Sequence, residues 1–334
     1  MKVAIIGCGS WGLGIGFVLH SNGHQLHYYT PFREQAQSLR ETRTDDRTLK
    51  GVTVPQEWKF STNLAQVLKD AELVVVAVPS GVLRSSAQAL GAVELEEKPM
   101  VVSLTKGVEQ DSLLRMSQIL LQEIPWLTRS RLAVLSGPSH AEEVARFVPT
   151  TVVVASASIR TAQRLQEIFL TEQFRVYTST DVLGVELCGA LKNVIAIATG
   201  MVDGLGLGDN TKGALLTRGL AEISRLGEKL GGQVRTFAGL AGMGDLITTC
   251  ISRHSRNRYV GEELGKGRKL EDVLGGMTMV AEGVPTALSG YQLAQKHKVP
   301  MPITEAVYRT LYEGGDAKEE LWALMKREPK PEGV

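Results

Sequence analysis

Residues 2–12 read Lys-Val-Ala-Ile-Ile-Gly-Cys-Gly-Ser-Trp-Gly, and this stretch decides the fold. Residues 2–6 form an almost unbroken aliphatic run, the pattern of a strand buried on both faces of a parallel sheet. Gly7, Gly9 and Gly12 follow at the spacing G-x-G-x-x-G, directly after that strand and at the opening of a helical pattern. Gly7 permits a tight turn, Gly9 lets the backbone approach a pyrophosphate, and Gly12 allows helix and strand to pack closely. The free amides and the dipole of the helix start would then face the phosphates. Alone the motif is weak, since a plain glycine-rich turn shares it. At the head of a strand–turn–helix unit it points to a dinucleotide.

Working outward, further β-rich runs lie at 25–29, 73–78, 100–104, 132–136, 150–155 and 174–177. Helical patterns fall between them at 11–22, 63–70, 81–90, 111–123, 139–146 and 160–170. This alternation predicts an α/β, Rossmann-like doubly wound sheet over residues 1–180. From about Asp181 the pattern becomes helical throughout, with one long apolar helix at 182–202 and others at 211–230, 256–266, 283–297, 303–313 and 317–326. The expectation is an all-α substrate-binding and catalytic domain over 181–326, with a charged, proline-containing tail at 327–334.

Composition narrows the class. The 334 residues carry 37 basic and 36 acidic side chains, a formal charge of +1, so no global field draws the chain to nucleic acid or to an anionic membrane. Cys8, Cys188 and Cys250 are far apart and form neither a disulfide framework nor a zinc-ligand spacing, and no metal is expected. No stretch resembles a signal peptide or a membrane span. The expected location is the cytoplasm, without integral membrane association. The long apolar helices suit a homodimer interface and core packing equally.

Three segments carry candidate chemistry. After the second strand comes Tyr28-Tyr29-Thr30-Pro31-Phe32-Arg33, with no acidic residue where a ribose 2′-hydroxyl would be read. Arg33 suits either the 2′-phosphate of NADP or a solvated helix start. The cofactor is therefore NAD or NADP, with the preference open. Lys192, beside Asn193, interrupts an apolar helix, and a buried ammonium needs a cleft or a carboxylate. It is either a functional lysine or half of a structural ion pair. Asp245 is the lone carboxylate of the glycine-rich run 239–250, and it also suits a helix N-cap. Ser255, Arg256 and Asn257 open a helix and can hold a phosphate through the guanidinium, the amide and backbone N–H groups. A solvated, capped helix start has the same composition. Lys106 and the segment Ser136-Gly137-Pro138-Ser139-His140-Ala141 follow strands at the carboxyl edge of the sheet, where open α/β folds bind ligands. His140 reads as a helix-start residue and not as a base.

Taken in order, these segments resemble bacterial NAD(P)-dependent glycerol-3-phosphate dehydrogenase over about residues 1–326. The likeness rests on the 7–12 loop, Val78-Pro79-Ser80, Thr105-Lys106-Gly107, Ser136-Gly137-Pro138-Ser139 and Leu191-Lys192-Asn193. It continues through Gly208-Asp209-Asn210-Thr211-Lys212, Gly244-Asp245-Leu246, Ser255-Arg256-Asn257 and Ala281-Glu282-Gly283. The resemblance implies interconversion of dihydroxyacetone phosphate and sn-glycerol 3-phosphate, in supply of glycerophospholipid synthesis. By the same carry-over Lys192 is the proton donor and acceptor, with Asp245, Lys106 and Thr249 beside it. Lys106, Gly137 and Ser139 line the substrate site, and Ser255, Arg256 and Asn257 hold the substrate phosphate. Ser10, Trp11, Ala141, Arg256, Val280 and Glu282 would contact the dinucleotide, joining the candidates Gly7, Gly9 and Gly12 of the turn, Lys106 at the sheet edge and Arg33 as a 2′-phosphate reader. The chain departs from the family at Pro31 and Phe32, where bacterial members carry an Arg or Lys pair. Two other readings share parts of the pattern: a β-hydroxyacid dehydrogenase, whose substrate carries a carboxylate, and a nicotinamide-sensing protein without catalysis.

Overall fold

The computed structural model describes residues 1–329, 331 and 332. Eight strands form one sheet: β1 (Lys2–Ile6), β2 (Gln25–Tyr29), β3 (Lys59–Ser61), β4 (Leu73–Val76), β5 (Met100–Ser103), β6 (Leu132–Ser136), β7 (Thr150–Ser156) and β8 (Phe174–Ser179). Their order is β3-β2-β1-β4-β5-β6-β7-β8. β1 pairs in parallel with β2 on one side and β4 on the other, so the strand order reverses beside the glycine turn. That is the crevice where doubly wound sheets hold ligands.

Helices cover both faces, as the aliphatic strands require. Alternate residues of β1 enter opposite layers, Val3 and Ile5 in one and Ala4 and Ile6 in the other, the two-residue period of a strand. β7 runs antiparallel to β6, and β8 runs parallel to β7. β8 therefore ends at the amino edge of the main parallel sheet, and the helix Val182–Gly204 carries the chain back along it. By Gly189 that helix has reached the other edge: a Cβ there would lie 2.8 Å from Ser136 Oγ at the end of β6.

Every residue of this helix from 184 to 202 is buried. It is the one helix among the described residues long and apolar enough to cross a membrane, and 89% of its most apolar window is buried within the protein. The helix Arg256–Gly265 crosses it at backbone contact: a Cβ on Gly261 would strike the Ile197 carbonyl, and one on Gly200 the Arg258 carbonyl. Larger side chains at either position would push the helices apart. No strand occurs beyond Ser179 among the described residues.

The structure adds elements the sequence pattern does not show. These are β3 and the helices Val234–Phe237 and Leu270–Gly275, with a wide π-type turn at Leu240–Gly244; helices also form at Arg33–Glu41 and Asp245–Ile251, where the sequence left a helix start as one of two readings. The helix expected at 111–123 begins only at Met116. Asp111 and Leu113 have positive φ, and Val108 pairs with Arg115 as an isolated bridge, so the chain turns there first.

Candidate active site

A cleft of about 900 Å³ runs from the glycine turn along the carboxyl ends of β1, β4, β5 and β6 to the helical half. Gly7, Gly9, Ser10 and Trp11 line one part of it. Lys106, Ser139, Ala141, Lys192 and Thr249 line another, and Ser255, Arg256, Asn257, Val280 and Glu282 a third. Of the other residues singled out in the sequence, Gly12 and Gly137 lie behind the lining, Asp245 is buried beneath it, and Arg33 is exposed at the first position of the helix Arg33–Glu41, between the lining residues Phe32 and Glu34 but not itself part of the lining.

The glycine turn is built to take a phosphate. Gly7 has φ +110°, and a Cβ on it would meet the Ala77 carbonyl, whereas a Cβ on Gly9 would meet nothing within 4 Å. The twelve-residue helix Ser10–Ser21 has no side-chain cap at Gly9 and no acidic residue in its first turn, so its first amides stay free for an anion. The indole Nε1 of Trp11 is buried without a partner. This donor set fits the pyrophosphate of a dinucleotide.

Further along the cleft one carboxylate holds two ammoniums. Asp245 Oδ1 accepts from Lys192 Nζ, and Asp245 Oδ2 accepts from Lys106 Nζ at 2.6 Å. Lys192 Nζ also donates to Thr249 Oγ1 at 2.5 Å, and Thr249 stands one helical turn after Asp245, so both face the same way. Asp245 does not cap its helix; it occupies the first helical position with its side chain turned to the lysines. Burial pushes the Asp245 carboxyl up, but Lys106 and Lys192 outweigh it and hold the group below its ordinary value. Burial pulls the Lys192 ammonium down to about 8, against the opposing attraction of Asp245. Two cations on one anion leave a local excess of positive charge at the cleft wall.

The third region is anchored between helices. Ser255 caps the helix Arg256–Gly265 by accepting from the Arg258 amide at 3.2 Å. Asn257 Nδ2 donates to Asn193 Oδ1 at 2.9 Å, and Asn257 Oδ1 accepts from the Gly283 amide at 2.8 Å. Arg256 Nη1 donates to the Val280 carbonyl at 2.8 Å, which aims the guanidinium along the wall. Glu282 accepts from the Ser80 amide at 2.9 Å and from Ser80 Oγ at 2.5 Å, tying the helical half to the turn after β4. Burial raises the Glu282 carboxyl above its ordinary value.

Several cleft residues have no motif to announce them. His140 lines the wall with its Nε2 buried and unpartnered, and its ring centroid is 5.8 Å from that of His254. Its place just after a strand at the carboxyl edge is the one trace of this in the sequence. Gln35, Asp45 and Arg47 also reach the cleft, from a stretch without recognisable spacing.

An uncapped glycine turn and a lysine–aspartate–lysine cluster in one cleft define a dinucleotide-dependent oxidoreductase. Family comparison gives the particular assignment. Residues 2–162 match the N-terminus, and residues 181–321 the C-terminus, of NAD-dependent glycerol-3-phosphate dehydrogenase. The chain is 48% identical over 332 residues to glycerol-3-phosphate dehydrogenase [NAD(P)+] of Chlorobium luteolum, covering 99% of each. It is also 48% identical over 326 residues to the enzyme of that name from Bacillus pumilus, covering 98% of this chain and 94% of the relative. A crystal structure of glycerol-3-phosphate dehydrogenase from Coxiella burnetii superposes with a TM-score of 0.93 at 35% identity, over 98% of this chain and 99% of the other. The chain belongs to the NAD-dependent glycerol-3-phosphate dehydrogenase family.

Proposed function

We propose that this chain interconverts dihydroxyacetone phosphate and sn-glycerol 3-phosphate, with NAD(H) or NADP(H), and so supplies the backbone of glycerophospholipids. The observation that carries the reading is the Lys192–Asp245–Lys106 cluster in the same cleft as the glycine turn. Gly7, Gly9, Ser10 and Trp11, backed by Gly12, would hold the pyrophosphate, and Lys106, Ala141, Arg256, Val280 and Glu282 the rest of the dinucleotide. When bound, the nicotinamide supplies or accepts the hydride at the carbinol carbon.

The chain's own residues do the remainder. Lys192 Nζ gives a proton to the substrate oxygen in reduction and takes it back in oxidation, a role suited by an ammonium brought down to about 8. Asp245 and Thr249 fix that nitrogen in place. Lys106, on the far oxygen of Asp245, adds positive charge where the alkoxide develops. Gly137 and Ser139 border the substrate, and Ser255, Arg256 and Asn257 take its phosphate through charge-assisted and amide hydrogen bonds.

The reading includes a cytoplasmic enzyme that pairs as a homodimer. Met243, Ile247 and Ile251, exposed at four-residue spacing, offer an apolar row for such pairing. Sedimentation velocity tests it: a monomer at micromolar concentration removes the dimer. The activity is tested by absorbance at 340 nm with dihydroxyacetone phosphate and NADH or NADPH in parallel. Oxidation of either supports the reading. No oxidation, with the dinucleotide bound, overturns it in favour of a carboxylate substrate or a sensor.

A further inference from the structure

The end of the cleft beside β2 bears on which dinucleotide fits. Thr30 Oγ1, just after β2, donates to Gln35 Oε1 at 2.7 Å. Gln35 Nε2 donates in turn to the Cys8 carbonyl of the glycine turn at 3.1 Å and to Asp45 Oδ2 at 2.8 Å. Asp45 Oδ1 accepts from the Arg47 amide at 3.2 Å. A carboxylate from the loop before β3 is thereby fastened to the turn that would carry the pyrophosphate and to the strand end beside which an adenosine ribose lies.

The charges there favour a neutral ribose. Glu34, Asp45 and Arg47 line this end together with Thr30, Pro31 and Phe32. Pro31 and Phe32 carry no charge, and Arg33 is outside the lining. Arg47 is the one cation of the group; its Nε sits 3.5 Å from Asp45 Oδ1 and its side chain is 64% exposed, against 3% for Asp45. It is thus partly neutralised and well solvated. A 2′-phosphate adds up to about two negative charges beside a fixed carboxylate, and like charges at short range are costly. A 2′-hydroxyl adds none and can donate a hydrogen bond.

We infer that Asp45, held by Gln35, is a specificity-determining residue that reads the adenosine ribose and selects NAD over NADP. The inference rests on the dehydrogenase reading, and its test separates the two. Calorimetric titration of the full chain with NADH and NADPH measures the preference without turnover. NADH is expected to bind at least about tenfold more tightly. Asp45→Asn keeps an oxygen for Gln35 and removes the charge, and it should narrow the ratio by strengthening NADPH binding. Phe32→Arg should narrow it further. On the unaltered chain, 5′-AMP should displace NADH more readily than adenosine 2′,5′-bisphosphate does, a comparison that stands even if a variant fails to fold. Equal or tighter binding of NADPH, or an unchanged ratio in a folded Asp45→Asn variant, overturns the inference. Loss of turnover with dihydroxyacetone phosphate while the binding ratio holds strikes the substrate reading instead.

Discussion

Lys106 Nζ lies 2.6 Å from Asp245 Oδ2, a contact between residues 139 positions apart. It joins the loop after β5 to the helix that begins at Asp245. Because Lys192 occupies the other oxygen of the same carboxylate, a change at any one of the three side chains alters the electrostatics of the other two. Asp245→Asn leaves two ammoniums without their anion in a buried place, so the variant should lose about 3–5 kcal/mol of stability. Urea denaturation followed by circular dichroism measures it, and a loss under about 1 kcal/mol would show the cluster to be more hydrated than its burial implies.

Removing Lys192 tests the chemistry directly. Lys192→Ala should lower kcat by about 10²–10⁴-fold and leave NADH binding close to that of the unaltered chain. Steady-state kinetics with a parallel binding titration separates the two effects. Ordinary turnover would remove Lys192 from the mechanism.

The Lys192 ammonium, brought down to about 8 by burial, sets opposite pH responses for the two directions. Reduction needs the protonated lysine, so kcat/KM for dihydroxyacetone phosphate should fall as pH rises through about 8. Oxidation needs the free amine and should rise over the same interval. Stability responds as well. The folded group releases its proton near 8 and the unfolded group near about 10.4, so the unfolded state holds more protons between these values. Lys192 therefore weakens the fold below 8, and that penalty fades as pH rises toward 10.4. Parallel pH profiles of the two reactions check the catalytic part, and equal slopes in both directions would exclude Lys192 as the shared group.

Arg256→Ala should act mainly through substrate binding. Loss of a charge-assisted contact to phosphate is worth about 1.5–3 kcal/mol, or about ten- to a hundredfold in kcat/KM. Inorganic phosphate should inhibit the unaltered chain competitively and the variant much less. Equal inhibition of both would place the phosphate elsewhere.

Glu222 supplies a control outside the cleft lining. Its carboxylate accepts from the Ile303 amide at 2.7 Å and the Thr304 amide at 3.2 Å, which closes the start of the helix Pro302–Tyr312. Glu222→Ala strands those buried donors and should cost about 1–3 kcal/mol with kcat unchanged. Burial raises the Glu222 carboxyl to about 7. The folded state then holds a proton that the unfolded state has lost between about 4.3 and 7, and this group's contribution weakens as pH rises across that window. Thermal melts of both proteins at pH 5 and pH 7.5 check the sign: the gap between them should narrow at the higher pH.

Much of this architecture is legible in the chain because burial leaves a simple mark. The aliphatic runs of β1, β4, β5 and β6 are buried on both faces, and the polar residues of these strands, Lys2, Ser103 and Ser136, stand only at their ends. β3 leaves no such mark. It has three residues, Lys59, Phe60 and Ser61, at the sheet edge and is ordered by pairing with β2. The helix Arg33–Glu41 buries only Ala36 and Leu39 and otherwise reads as a solvated stretch. The turn at Leu240–Gly244 looks like a flexible loop until packing shows otherwise. Lys192 stands out because an ammonium in an apolar helix calls for a partner, but which partner depends on where a distant turn arrives. The Gln35–Asp45 link is likewise a tertiary event, with no spacing to reveal it.

The reversal at β7 makes the helix Val182–Gly204 a measuring rod. It starts at the far edge of the sheet, and the ten residues from Val182 to Lys192 advance about 15 Å at 1.5 Å each, close to the about 17 Å of a five-residue strand. The reactive nitrogen is thus set by a count of peptide units, with no loop in between to absorb an error. One residue inserted into that first stretch would swing Lys192 by about 100° and aim it into packed side chains. A longer surface turn would leave this distance untouched, but this segment is a gauge whose length is dictated by the length of the strands beside it.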